Sequence, residues 1–117
     1  MNAEDLTSSK VDERFLQKAI ELVEKNLDNS DYSVEAFSDD MCMSRMNLYR
    51  KLQIITGQKP TEFIRSIRLK KAAGLLTHTE LTVIEISEKV GFATPSYFSK
   101  CFKDMFGVLP TQYHSQD

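Results

Sequence analysis

The chain has 117 residues, 41% of them hydrophobic and 27% charged, with a formal net charge of −2. These totals suit one domain of ordinary soluble type, or two small lobes sharing an element. No apolar run approaches the roughly 18 residues of a membrane span, and the opening MNAEDLTSSK lacks the basic-then-apolar order of a signal peptide.

In chain order, residues 12–27 place Leu16, Ala19, Ile20, Val23 and Leu27 at helical spacing with charge opposite, which predicts an amphipathic helix capped by Ser9 or Asp12. Asp28-Asn29-Ser30-Asp31 breaks it, because such side chains bond their own backbone. A short helix follows over residues 33–41, capped by Ser33. After the tight joint Cys42-Met43, Ser44 caps another that runs to about Thr56, with Gly57 as its left-handed stop. Pro60 opens a long helix carrying Phe63, Ile64, Ile67, Ala72, Leu75 and Leu76, with an unexplained Gly74, and residues 77–81 read as a loop. Thr82-Val83-Ile84-Glu85 is a capping box for a short helix ended by Gly91. Thr94-Pro95 starts the next, which stops at Gly107, and Pro110 begins a last turn or two. The expectation is all-α: seven helices, no strand, and two helix-turn-helix subdomains joined by a long linking helix. The corresponding boundaries are 1–31 for the tail and acidic first helix, 32–58, 59–81 for linking helix and loop, and 82–117.

The two subdomains are a repeat. GQKPTEF at 57–63 returns as GVLPTQY at 107–113, and residues 44–63 overlay on 94–113. Leu48 meets Phe98, Arg50 meets Lys100, Leu52 meets Phe102, and Ile55 meets Met105. Upstream the offset is 49, pairing Ser33 with Thr82 and Ser38 with Ser87, so the second turn has one residue more. At 100° per residue Leu48, Leu52 and Ile55 share a core face, as do Phe98, Phe102 and Met105. The outward faces are Arg45, Met46, Tyr49, Arg50 and Gln53 in the first unit, and Pro95, Ser96, Ser99, Lys100 and Lys103 in the second. Neither carries an acid. A solvated surface is the plain alternative for one such face, but its recurrence favours a partner. Met46 fits either a base contact or the core.

Charge is segregated as well. Residues 1–31 hold four basic and eight acidic side chains, which leaves a net +2 on the remainder. Cys42 and Cys101 form no close-spaced pair and read as small apolar residues in a reducing, cytoplasmic setting, with Cys101 beside the Phe98–Phe102 core.

The segments SRMNLYRKLQIITGQKPTEFIRSIRLKKAAGLL (44–76) and TVIEISEKVGFATPSYFSKCFKDMFGVLPTQY (82–113) resemble the DNA-binding domain of AraC-type transcription regulators. The marks are RL-x-x-A-x-x-LL, EIS-x-x-VGF, SYFSK-x-FK and G-x-x-P-x-x-Y, across about residues 33–113. Ser38 and Ser87 stand where the family usually has a small alanine, and Cys42 replaces a common turn glycine. Helix 12–27 with its continuation NLDNSDYSVEAFSDDMCMSRMNLYRKL (26–52) further resembles output domains at the end of hybrid two-component sensor-regulators. The resemblance implies recognition helices in successive major-groove segments of double-stranded DNA. By position, Ser44, Arg45, Met46, Tyr49 and Arg50 would form one reading head, and Thr94, Pro95, Ser96, Ser99 and Lys100 the other. It further implies regulation of transcription as an activator, with RNA polymerase and sensor or receiver domains of a longer chain as partners.

General chemistry is consistent with that expectation. An α-helix fits the major groove, where Arg forks onto guanine, and Ser44 and Thr94 at helix starts suit phosphate. Heads about one turn, roughly 34 Å, apart on one duplex face call for an asymmetric site. An enzyme is the first rival, and it is rejected. His78 and His114 have no Cys or carboxylate at ligand spacing, there is no phosphate loop or H-E-x-x-H, and neither cofactor nor metal is expected. The second rival is a protein-interaction bundle, which would account for the acidic first helix. Salt-sensitive retention on DNA separates the two.

Overall fold

A computed structural model describes residues 3–113, with side chains placed from Lys10 onward. These residues form seven helices: α1 (Ala3–Lys25), α2 (Val34–Asp40), α3 (Arg45–Thr56), α4 (Pro60–His78), α5 (Val83–Lys89), α6 (Pro95–Phe106) and α7 (Pro110–Tyr113). Local chemistry explains most boundaries. Ser33, Ser44, Thr82 and Thr94 each accept the backbone N–H three residues on, at 3.1–3.2 Å. Gly57 and Gly107 end α3 and α6 with φ of 76° and 81°.

The repeat extends to individual hydrogen bonds. Met43 N–H donates to the Ser38 carbonyl and Phe92 N–H to the Ser87 carbonyl, both at 3.0 Å. Cys42 (φ 58°) takes the left-handed place that Gly91 (φ 81°) holds in the second turn. In each Gly-x-x-Pro-Thr-x-aromatic segment the glycine ends a recognition-type helix and the proline starts the next. The side chain two residues past that proline then bonds back: Glu62 accepts Lys59 N–H at 2.9 Å, and Gln112 accepts Leu109 N–H at 3.1 Å. The closing aromatic packs on its own lobe. Phe63 stacks on Phe37 at 6.0 Å, and Tyr113 meets Phe102 edge-on at 5.3 Å.

α4 serves two separate cores. Phe63 and Ile64 join Phe15, Val23, Phe37, Leu48 and Leu52, whereas Leu69, Ala72 and Leu76 join Ile86, Val90, Phe98, Cys101 and Phe102. Between them lie the buried polar residues of α4, Ser66 and Arg68. The described residues contain no strand, and no described helix is long and apolar enough to cross a membrane.

Several expectations need correction. α1 starts well before Ser9 and Asp12, so neither caps it; nothing between Ala3 and Asp12 breaks a helix, and propagation costs less than nucleation. Its buried face centres on Phe15, Ala19 and Val23, with Leu16 and Ile20 only partly covered; the helix ends at Lys25, so Leu27 lies in the turn beyond it and packs partly against the second core. His78 is the last helical residue of α4 rather than part of a loop, and His114 lies outside the described residues. Met105 is exposed at 39%, and the half-buried Phe106 packs against the second core instead, with Tyr113 of α7 against its ring at 5.4 Å. Of the two cysteines, Cys101 is buried beside the second core as expected, and Cys42 is exposed.

Candidate nucleic-acid interface

On α3, Ser44, Arg45, Met46, Tyr49 and Arg50 are all exposed. Met46 at 63% exposure cannot be core, which resolves its ambiguity. An uncommitted Met and a 42%-exposed Tyr49 beside two guanidiniums make an amphipathic face, suited to base edges and sugars as well as charge. Arg45, Met46, Tyr49 and Arg50 flank a broad hollow of about 850 Å³ whose other wall includes Val34 and Thr61. Gln53 is also exposed, but its amide donates to the Gly57 carbonyl at 3.2 Å and so belongs to the helix end.

On α6, Thr94, Pro95, Ser96, Lys100 and Lys103 are exposed, while Ser99 is half-buried and points less freely outward than its spacing suggested. The face also contains a residue that the repeat did not signal. Tyr97 is 49% exposed, with its ring tilted against Phe92 at 5.7 Å. Its repeat counterpart is Asn47, so the alignment held no aromatic cue. Arg65 of α4 donates to the Tyr97 hydroxyl across a long 3.5 Å contact.

Behind these faces, Arg68 ties α4 to two neighbouring segments. It is 5% exposed, and its guanidinium donates to the carbonyls of Leu27, Val90 (2.7 Å) and Asn29 (2.9 Å). One side chain of α4 therefore binds both the segment after α1 and the end of α5. Gly91 is required twice over: its φ is positive, and a Cβ there would overlap the Arg68 guanidinium and the Leu27 carbonyl. Burial pulls the Arg68 pKa downward, opposed by Asp28, yet an arginine stays charged at any working pH. In the first lobe, the Tyr32 hydroxyl donates to Asp40 at 2.9 Å. Burial, reinforced by that carboxylate, raises its pKa.

Two capped, left-handed turns, each presenting a twelve-residue helix, define a tandem helix-turn-helix domain. The helix-turn-helix domain family matches residues 37–116. Histidine kinase P4 of Formosa agariphila is 43% identical over 112 residues, which cover 96% of this chain and 8% of that protein. Among solved structures, the C-terminal domain of AraT, a response regulator from Geobacillus stearothermophilus, superposes with a TM-score of 0.79 at 34% identity, covering 88% of this chain and 85% of that one. A transcriptional regulator of Chromobacterium violaceum, described by its AraC-type DNA-binding domain, gives 0.81 at 25% identity, covering 89% and 92%. The chain belongs to the AraC-type helix-turn-helix DNA-binding family. It spans between 8% and 39% of the length of eight curated relatives that it matches.

Proposed function

We propose that this domain binds double-stranded DNA sequence-specifically, with α3 and α6 in successive major-groove segments, and thereby regulates transcription as an activator. Residues 32–58 and 82–117 are the two reading units on this reading, 59–81 the link, and 1–31 the contact toward the rest of a longer chain. Two relatives, one titled a histidine kinase and the other a response regulator, support a role as the output module of a two-component regulator in the cytoplasm. Its further partners are then sensor or receiver domains of the same chain and RNA polymerase. One observation carries the reading: the exposed face of Arg45, Met46, Tyr49 and Arg50 sets two guanidiniums beside two large apolar side chains and carries no acid.

The two heads divide the work. Arg50 can fork onto guanine, whereas Lys100, its counterpart, offers a flexible point charge. Selection of bound duplexes from a random pool supplies the site for the test. Arg50→Ala should then lose about 1–3 kcal/mol on that site, with selectivity relaxed at one position. Lys100→Ala should weaken selected and scrambled DNA alike, with a salt slope shallower by about one ion. A position-specific loss for Lys100→Ala at unchanged salt slope would overturn this division.

A further inference from the structure

We propose that Arg65 and Tyr97, at the saddle between the lobes, hold a backbone phosphate of the DNA lying between the segments read by α3 and α6. This rests on the DNA-binding reading above. The argument begins with position. A hollow of about 350 Å³ separates the lobes, walled by Val34 and Thr61 on one side, Arg65 in the middle, and Phe92, Ala93 and Tyr97 on the other. Val34 and Thr61 also wall the hollow beside the reading face of α3. Arg65 and Tyr97 also line a third hollow, of about 400 Å³, that reaches Lys100 on α6. One concave path therefore joins the two faces, and Arg65 and Tyr97 stand at its midpoint. A duplex touching both faces crosses them.

The chemistry of the saddle selects an anion. No acid lines the inter-lobe hollow. Arg65 has no carboxylate partner among the described residues, and its long contact to Tyr97 leaves most of its five donors unused. Arg68 lines the same hollow but is 5% exposed and has committed three of its five donors to backbone carbonyls, so Arg65 is the freer cation. Tyr97 adds a hydroxyl donor on a ring braced by Phe92, and Thr61 an exposed hydroxyl. Glu62 and Asp104 line the third hollow, which places the phosphate on the Thr61 side of Arg65. Arginine and phosphate match in fork geometry, and the partly buried setting reduces screening. A phosphate fixed here makes binding sensitive to the distance between the two read segments.

The test uses the selected duplex with methylphosphonates, which are neutral, replacing central linkages one at a time. The native domain should lose roughly ten-fold in affinity at one or two linkages between the read segments. Arg65→Gln should lose a similar factor on unmodified DNA, show a salt slope shallower by about one ion, keep its base preferences, and be indifferent to those linkages. Tyr97→Phe keeps the ring on Phe92 and should lose a few-fold at the same linkage. If Arg65→Gln melts lower than the native domain, Tyr97→Phe decides, since its core contacts are unchanged. Indifference of the native domain to every central linkage, with site selection intact, would overturn the saddle and leave the DNA reading standing. Absence of any selective DNA binding would overturn both.

Discussion

Replacing Arg68 with methionine keeps a long apolar stem but removes the guanidinium that joins three chain segments. The cost follows from what each carbonyl can do afterwards. Val90 is fully buried, so its oxygen loses its donor without access to water. Leu27 is half-buried and recovers solvent only in part, while Asn29 is exposed and recovers it fully. An orphaned buried acceptor costs about 1–3 kcal/mol, and a half-orphaned one somewhat less. Relief of the buried charge offsets part of this, so the net loss should be about 2–4 kcal/mol. Arg68→Lys should recover little, because one ammonium cannot reproduce the fork. Urea unfolding followed by circular dichroism measures the stability, and DNA binding of the folded fraction measures the coupling of the heads. A loss under about 0.5 kcal/mol for Arg68→Met, with DNA affinity unchanged, would refute the idea that this side chain holds the three segments together.

Gly74→Ala should stabilise the domain by about 0.5–1 kcal/mol in the same unfolding assay, since Gly74 is helical and an added Cβ meets nothing within 4 Å. Ser87→Ala should be neutral or stabilising by up to about 1 kcal/mol, because the Ser87 hydroxyl is buried without a partner. Ser38→Ala should instead cost about 0.5–1.5 kcal/mol, because Ser38 donates to the Glu35 carbonyl at 2.8 Å; equal effects at both sites would sink the comparison. For Tyr32 the sign is set by its raised pKa: the unfolded phenol ionises near about pH 10 while the folded one stays protonated, so stability falls as pH rises past that point. Tyr32→Phe should flatten this alkaline decline, read as the difference between the two unfolding-versus-pH curves.

The repeat made most of the fold legible because its signals are local. A Ser or Thr cap, a left-handed glycine and a Pro-started helix each act within three or four residues, and all stand where their spacing put them. What escaped depends on distant partners. The bonds of Arg68 reach residues 22 to 41 positions away. Phe15 is buried partly because the Lys51 ammonium of α3 lies over its ring at 4.7 Å, a contact that α1 alone does not announce. Met105 and Phe106 both fall near the core side of α6, and helical angle could not choose between them; α7 does. At the candidate site, Arg45, Tyr49 and Arg50 were readable from periodicity, whereas Arg65 and Tyr97 became visible only once α4 and α6 were packed together.

A net charge of −2 runs against the usual basic balance of a DNA-binding domain, and the placement of the acids accounts for part of it. The acids of α1 stay with α1: Glu13, Glu21 and Glu24 surround a hollow with Leu16 and Ile20 that shares no residue with the path from α3 to α6. Over the roughly 8–10 Å of a Debye length at physiological salt, a phosphate on the proposed path would feel its own stretch of wall rather than the molecular average: Arg45 and Arg50 beside α3, or Arg65 and Lys100 nearer α6, there opposed by Glu62 and Asp104. Long-range attraction is correspondingly weak, so net charge does little to steer encounter with DNA. Affinity must then come from contacts made after arrival, and a single seven-residue-plus-twelve-residue lobe offers few of them. Two lobes packed on one continuous helix, α4, would join those contacts into a single binding event without a flexible tether. On the proposed reading α4 therefore matters to DNA binding alongside α3 and α6, and Arg68 supports it by tying α4 to the segment after α1 and to the end of α5.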